Sequence, residues 1–393
     1  MKKASLAATF GALACAWGCN AILGNSDGVY IDGGGDADLL GDAATDGSVS
    51  DGTPSDAPVS DSPITDGGKD ACSAIVMTDP RNCGACGHDC LFGGCSGGAC
   101  QPFALVGDAA APEQITLAGN TIYFASTTSG TINRVDLDRT GKEQLLAANF
   151  PPPNGTIGVD PSGVYFTSIP DGGSNELRKC PLTGACVPQI ITGFPGPAVD
   201  VAADGTNAYV VAPPSTIFAV RESDQLVTSL TSSIVSVAQI VAAPPFLYWG
   251  DNANKVSRIG IDGTDGGFST STLGSPRYIQ VRGNHVAWAG SLGATSKLGT
   301  CDVTNCALTK VTVARADDVT AVDVDAAHLY WVARGGGLNN GAIHSCTLAD
   351  SCATVTTHAL GQAQPQSIAV TPQAIYWLNN AGGGVGAVMG VAK

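Results

Sequence analysis

Seven copies of one short unit fill the last three quarters of this chain, and they constrain its fold more than any other feature. Each copy has an apolar triplet, a turn, then an aliphatic residue followed by an aromatic pair or its equivalent. The copies begin Ile115-Thr116-Leu117, Ile157-Gly158-Val159, Val199-Asp200-Val201, Ile240-Val241-Ala242, Ile279-Gln280-Val281, Val322-Asp323-Val324 and Ile368-Ala369-Val370. The pairs that follow include Tyr123-Phe124, Tyr165-Phe166, Tyr248-Trp249, Tyr330-Trp331 and Tyr376-Trp377. Successive starts lie 42, 42, 41, 39, 43 and 46 residues apart. A fixed period of this size marks a repeat architecture and is read before any single element.

Each copy holds four runs of alternating apolar residues punctuated by Gly, Asn or Pro, which is a strand signal. In the second copy these are TIGVD, GVYFTSI, ELRKCPL and VPQIIT. Four strands per period of about 42 residues match a β-propeller blade. Gly and Pro together make 73 of 393 residues, about 19% against a usual level near 12%, which favours turns over helices. Both faces of such a blade are apolar, so it must sit between neighbours, and an aromatic ring at the same place in every blade supplies the seam. The seventh copy runs through 386–392 and stops after its third strand. Phe103-Ala104-Leu105-Val106, ahead of the first copy, aligns with the fourth strand of the second, so one blade is expected to be built from both termini. The reading is all-β: a seven-bladed β-propeller over 101–393, with six blades as the alternative if the third copy is mis-segmented.

The N-terminal quarter has a different character. Lys2 and Lys3 precede a short apolar run, Ala4 to Ala16, the layout of an export signal over 1–18. Residues 19–70 are rich in Asp and Gly, with almost no apolar content. Such a segment cannot bury enough surface to offset its ordering entropy and is expected to be a disordered tether. The net charge is −15; residues 25–71 alone hold eleven Asp and one Lys. That balance excludes nucleic acid as a partner. No run of 18 apolar residues occurs, which excludes a multi-span membrane protein.

Fourteen cysteines fall into groups. Cys72, Cys83, Cys86, Cys90, Cys95 and Cys100 lie within 29 residues, and in an exported chain they read as a disulfide module over 71–100. Zinc is the rival, since Cys83-x-x-Cys86 has ligand spacing, but six thiols and an oxidising compartment favour bridges; the pairing within the module stays open. Cys180/Cys186, Cys301/Cys306 and Cys346/Cys352 each enclose a short polar turn and are expected to staple neighbouring strands. Cys15 and Cys19 remain, and no thiol is left as a catalytic nucleophile.

Three resemblances rest on these residues. Ala16-Trp17-Gly18-Cys19 resembles a bacterial lipobox, which implies lipidation of Cys19; Ala12-Leu13-Ala14-Cys15 is the competing match. Asn20 is not the Asp of inner-membrane retention, which implies an outer-membrane or cell-surface lipoprotein. The run Asn82-Cys83-Gly84-Ala85-Cys86-Gly87-His88-Asp89-Cys90 with Cys95 and Cys100 is similar to the Cys-rich domain of the stigma-specific protein family. Leu247-Tyr248-Trp249-Gly250-Asp251, with Arg258 and Asp262-Gly263, resembles the YWTD repeat of lipoprotein-receptor propellers, and the other copies look like YVTN-type bacterial surface propellers.

A catalytic constellation is hard to find. His285 and His328 occupy equivalent places before Trp288 and Trp331, as turn-to-strand residues too far apart to share an ion. Gly94-Cys95-Ser96-Gly97-Gly98 matches a nucleophile elbow in letters but lacks the strand and helix that an elbow needs. Streptogramin lyases, which this architecture resembles, use His and Glu; here only Glu113, Glu143, Glu176 and Glu222 exist, and none is paired with a His by the sequence. No cofactor or metal is expected. The reading is a monomeric, non-catalytic recognition or scaffold protein held to the membrane by its lipid, with an envelope lyase or hydrolase as the alternative. A glycan or protein ligand is expected on the rim formed by the loops between second and third strands, where Asp251, Asn252, Arg334, Asn339, Asn340, Asn379 and Asn380 supply polar groups.

Overall fold

A computed structural model describes residues 75–393, apart from short loop stretches: 111, 127–128, 139–143, 148–152, 169–174, 195–197, 213–215, 232–233, 235, 273, 293–294, 316–317 and 382–384. The export signal, Cys19, the acidic tether and Cys72 lie outside the described residues.

The chain forms seven four-stranded antiparallel sheets arranged as a ring. Blades 1 to 6 cover 114–147, 153–194, 200–231, 237–271, 275–315 and 319–362. Blade 7 takes three strands from 365–392, and its fourth strand is Phe103–Ala110. That strand pairs antiparallel with Val385–Ala392, Phe103 opposite Gly390 and Ala110 opposite Val385. Ring closure by the two ends is thus as the truncated seventh copy implies. The first strands of neighbouring blades lie side by side around the axis, including blade 7 against blade 1. The third copy forms a complete blade, so the count is seven.

Packing follows from the period of two along a strand. Seven apolar clusters exist, one at each seam between blades. Adjacent members of an aromatic pair point to opposite sheet faces and serve different seams. Tyr165 lies in the seam of blades 2 and 3, and Phe166 in that of blades 1 and 2. Tyr330 faces blade 7, whereas Trp331 faces blade 5. Trp288, Trp331 and Trp377 are among the largest fully buried side chains.

Buried polar residues of the first strands stitch each blade to the next. Ile157 N–H donates to Gln114 Oε1 (2.8 Å), Ile240 N–H to Asp200 Oδ2 (2.8 Å), Ile279 N–H to Gln239 Oε1 (2.7 Å) and Val370 N–H to Asp323 Oδ2 (2.8 Å). Ser367 Oγ accepts from Ile115 N–H across the closing seam (3.2 Å). The axis-facing edge of a first strand has no sheet partner, and these side chains supply the missing acceptors.

By strand direction, the first-to-second connections of all blades and the third-to-fourth connections of blades 1 to 6 lie toward one face of the ring, called lower here. The second-to-third loops and the links between blades open on the upper face. All three close cysteine pairs are bridged, with Cα separations of 5.6, 4.9 and 4.8 Å for Cys180–Cys186, Cys301–Cys306 and Cys346–Cys352. Each closes a third-to-fourth turn, on the lower face of blades 2, 5 and 6.

The Cys-rich module sits on the same lower face. Its bridges are Cys83–Cys95 and Cys90–Cys100, and Cys86 is also disulfide-bonded. Phe92 packs edge-on against Phe103 (centroids 5.4 Å apart), and Phe103 against Tyr376 (6.5 Å). Gly390 makes room for this contact: a Cβ there would lie 2.7 Å from the Phe103 ring. His88 hydrogen-bonds through Nε2 to the main-chain O of Lys393 and through Nδ1 to that of Cys83. Multiple disulfides point to an exported, oxidising setting for the chain.

Candidate binding face

The upper face carries the predicted rim, and the structure divides its residues into two sets. Asp251 and Asn379 are buried, at 7% and 9% exposure, and do not offer groups to a ligand as expected. Asp251 Oδ1 accepts from Ala253 N–H (2.9 Å) and Lys255 N–H (3.0 Å), closing its own loop. Burial pushes the Asp251 carboxyl up, partly opposed by those two backbone donors and the Lys255 charge. Asn379 joins Gln362 and Trp377 in a buried network. Asn379 Nδ2 donates to Gln362 Oε1 (3.0 Å), and Trp377 Nε1 donates to both Gln362 Oε1 and Asn379 Oδ1 (3.1 Å each). Sequence reasoning missed this because a turn-forming Asn and a turn-packing Asn look alike in one strand of letters.

The second set faces solvent. Asn252, Asn339 and Asn340 are exposed, and Arg334 and Asn380 are half-buried. Arg334 N–H is anchored on Asp318 O (2.8 Å) and Asn380 N–H on Ala363 O (3.0 Å), which fixes the loops of blades 6 and 7 at their bases. Beside them Leu338 is 60% exposed, Leu360 72% and Val385 54%. Among the described residues these are the exposed large apolar side chains of the upper face; the others lie in the Cys-rich module, such as Met77 and Phe92, or in or beside third-to-fourth turns, such as Val187, Leu226 and Leu308.

The lower face holds the densest polar chemistry. At the seam of blades 2 and 3, Ser162 Oγ lies 2.6 Å from Asp160 Oδ1, 2.7 Å from Tyr165 OH, 2.9 Å from Lys179 Nζ and 3.0 Å from Glu222 Oε1. Burial pushes Asp160 up and Tyr165 well up. Lys179 is also ion-paired with Glu222 (3.0 Å), which ties the cluster across the two blades. At the seam of blades 6 and 7, Lys393 Nζ pairs with Asp325 Oδ2 (2.7 Å), which also accepts from Tyr330 OH (2.8 Å). Burial pushes the Asp325 carboxyl up, but donors from Lys393, Ala327 and Tyr330 outweigh it and hold the group below the usual carboxylate range. Arg282 forks onto Asp323 (2.8 and 2.9 Å) nearby. A signal for these seams was present: Asp160, Asp204 and Asp325 each lie five residues before the Tyr of the pair.

Ser345 Oγ lies 2.8 Å from His358 Nε2, a nucleophile–base pairing in outline. Ser345 is 3% exposed, however, and burial with the charges of Lys393 and the neighbouring histidines brings His358 down to about 4. A base that weak and a nucleophile that enclosed match a structural contact. His285 and His328 open the second strands of blades 5 and 6 on the lower face, as junction residues. Glu176 and Glu222 are held by Arg178 and Lys179. Among the described residues, one group of three metal-type ligand atoms lies within 4.8 Å, Cys83, Cys90 and Cys100, and all three are in disulfides.

Comparison with known proteins agrees with the ring. No protein-family profile and no curated protein sequence matches the chain. The WD40 β-propeller domain of Doa1 is similar in structure, with a TM-score of 0.55 at 11% identity over 73% of this chain and 95% of that one. The computationally designed protein Ika8 aligns over 72% of this chain and 98% of its own at 12% identity, TM-score 0.49. A chain of the nidogen/laminin complex aligns over 63% and 97% at 17% identity, TM-score 0.45. The chain is a seven-bladed β-propeller. At these identities the likeness speaks for the fold alone, and propellers serve enzymes, binders and scaffolds alike.

Proposed function

We propose that this propeller is a surface-anchored recognition protein whose binding face is the upper rim. One observation carries the reading: the two faces of the ring are chemically opposed. The lower face is occupied by the Cys-rich module, three disulfide hairpins and paired charges. The upper face of blades 6 and 7 presents the exposed amides of Asn339 and Asn340 and exposed aliphatic side chains on loops anchored at their bases. The chain enters the ring through the module, so an N-terminal attachment would hold the lower face toward its support and the upper face outward. Lipidation of Cys19 and an acidic tether of about 50 residues, extended by self-repulsion, complete this arrangement in the outer membrane or at the cell surface.

Two measurements test it. Mass spectrometry of membrane-extracted protein should find an acylated cysteine at position 19 as the first residue; a soluble product starting elsewhere would remove the anchor. Glycan and peptide arrays probed with the full chain should show binding that is lost when the 334–340 loop is replaced by a Gly-Ser loop. Binding unaffected by that replacement would move the site off the upper rim.

A further inference from the structure

We infer that the outer edge of blade 4 binds an extended peptide with an acidic side chain. The peptide adds to the blade as a fifth strand, in the groove beside blade 5. None of the rim residues takes part, so this site stands or falls separately from the reading above. The groove holds about 490 Å³ and lies between two elements. One wall is the fourth strand of blade 4, Asp265–Ser271, whose outer edge has no partner in the sheet. The other is the third-to-fourth turn of blade 5, where Thr304, Asn305 and Ala307 line the space. The Cys301–Cys306 bridge staples that turn to its strand, so this wall is fixed before anything docks.

The edge offers main-chain groups in a known phase. Lys310 Nζ donates to Ser271 O (2.8 Å) from the blade 5 side, so the Ser271 carbonyl points away from its own sheet. In an antiparallel ladder the N–H and C=O of one residue point the same way, and the direction alternates along the strand. Ser271 and Ser269 stand opposite Lys255 and Ser257 in unbroken register, so Ser269 shares that phase. The N–H and C=O of Ser269 and the N–H of Ser271 therefore face outward, the array that strand addition uses. Phe268, half-buried against the apolar cluster of blades 4 and 5, supplies a base beside them. Lys310 is the one charged residue that lines the groove. Exposed Lys255, opposite Ser271, adds a second cation at that end of the strand. Asp302 is turned into its own turn, where Oδ1 accepts from Thr304 N–H and Oγ1 (2.7 and 2.6 Å). Asp262, beyond the other end of the strand, holds Thr264 in the same way. A carboxylate is the complement of the Lys310 end. The chain's own 25–71 segment is acidic, but it is built of Asp, Gly and Ser, and Asp and Gly are poor strand formers.

The test selects a phage-displayed library of random peptides on the full chain and measures the recovered peptides on wild type, S269P and K310E. Proline is tolerated on an edge strand, where it deletes only the outward N–H, and Lys310 is exposed, so both melting midpoints should match wild type. Peptides of this site should share an Asp or Glu among β-branched or aromatic residues, and lose about tenfold or more in affinity on each variant. N-methylation along such a peptide should abolish binding at every second residue and spare those between, because only alternate N–H groups face the edge. That readout needs no variant of the protein. Replacement of the 334–340 loop should leave these affinities unchanged, which separates the groove from the rim. Equal binding to wild type and K310E, or N-methyl losses without alternation, would overturn the inference while leaving the rim to its own test. So would a library that yields no peptide weakened by S269P. Displacement of the peptides by a synthetic 25–71 segment would also overturn it, making the chain's own acidic stretch the occupant.

Discussion

Single residues in this ring are held by partners that belong to other blades, and this sets their response to pH. Asp200 is fully buried, and burial raises its carboxyl to about 7 against the donors Ile240 and Val201 N–H and Thr156. The native state thus keeps a proton that the unfolded chain has lost above about pH 4. Stability should fall as pH rises from about 4 to about 7, by on the order of 1.4 kcal/mol for each unit crossed. Asp200→Asn should remove that slope, so its stability relative to wild type should rise over the same range in urea titrations at stepped pH. Asp325 behaves oppositely. Its carboxyl lies low, so its stabilisation is complete above about pH 4 and is lost as pH falls toward its folded value. Asp325→Asn should cost about 1.5–3 kcal/mol at neutral pH, as for a charged hydrogen-bonded group. The gap should close in acid.

At the scale of elements, the blade is a four-stranded sheet whose outer hairpin is the weak point, and three blades staple that hairpin covalently. Loops of five or six residues remove little unfolded-state entropy when closed, so the double replacement C301S/C306S should lower stability by ~2 kcal/mol at most. Its clearer effect should be local: amide exchange should quicken at Cys306–Thr309 and Val311–Arg315, the segments the bridge holds to the third strand. Uniform quickening across blade 5 would show that the staple supports the whole blade.

For the whole molecule, closure is the decisive event, because the ring has no open seam once Phe103–Ala110 joins blade 7. Phe103, Leu105, Val106 and Ala109 from this strand are all in the buried cluster shared with blade 1. Deleting 103–110 should lower the melting midpoint by roughly 10 °C or more, given the apolar burial lost. An unchanged midpoint would mean that the seam is held without it. Much of this was legible in the letters. Seven copies at six near-equal spacings dictate seven blades, the truncated last copy dictates closure from the front, and short cysteine spacings dictate local bridges, because all three are properties of spacing along the chain. What the chain period could not reveal lies between blades, where residues some 40 positions apart meet. The Gln114, Asp200 and Gln239 stitches, the Asp325–Lys393 pair and the seat of the module against Phe103 were decided by the ring. The rim shows the same limit within one loop. Asn339 and Asn379 are equally plausible turn residues in sequence, yet only tertiary packing decided that Asn379 is consumed inside, bonded to the Trp377 indole N–H and to Gln362, while Asn339 faces solvent.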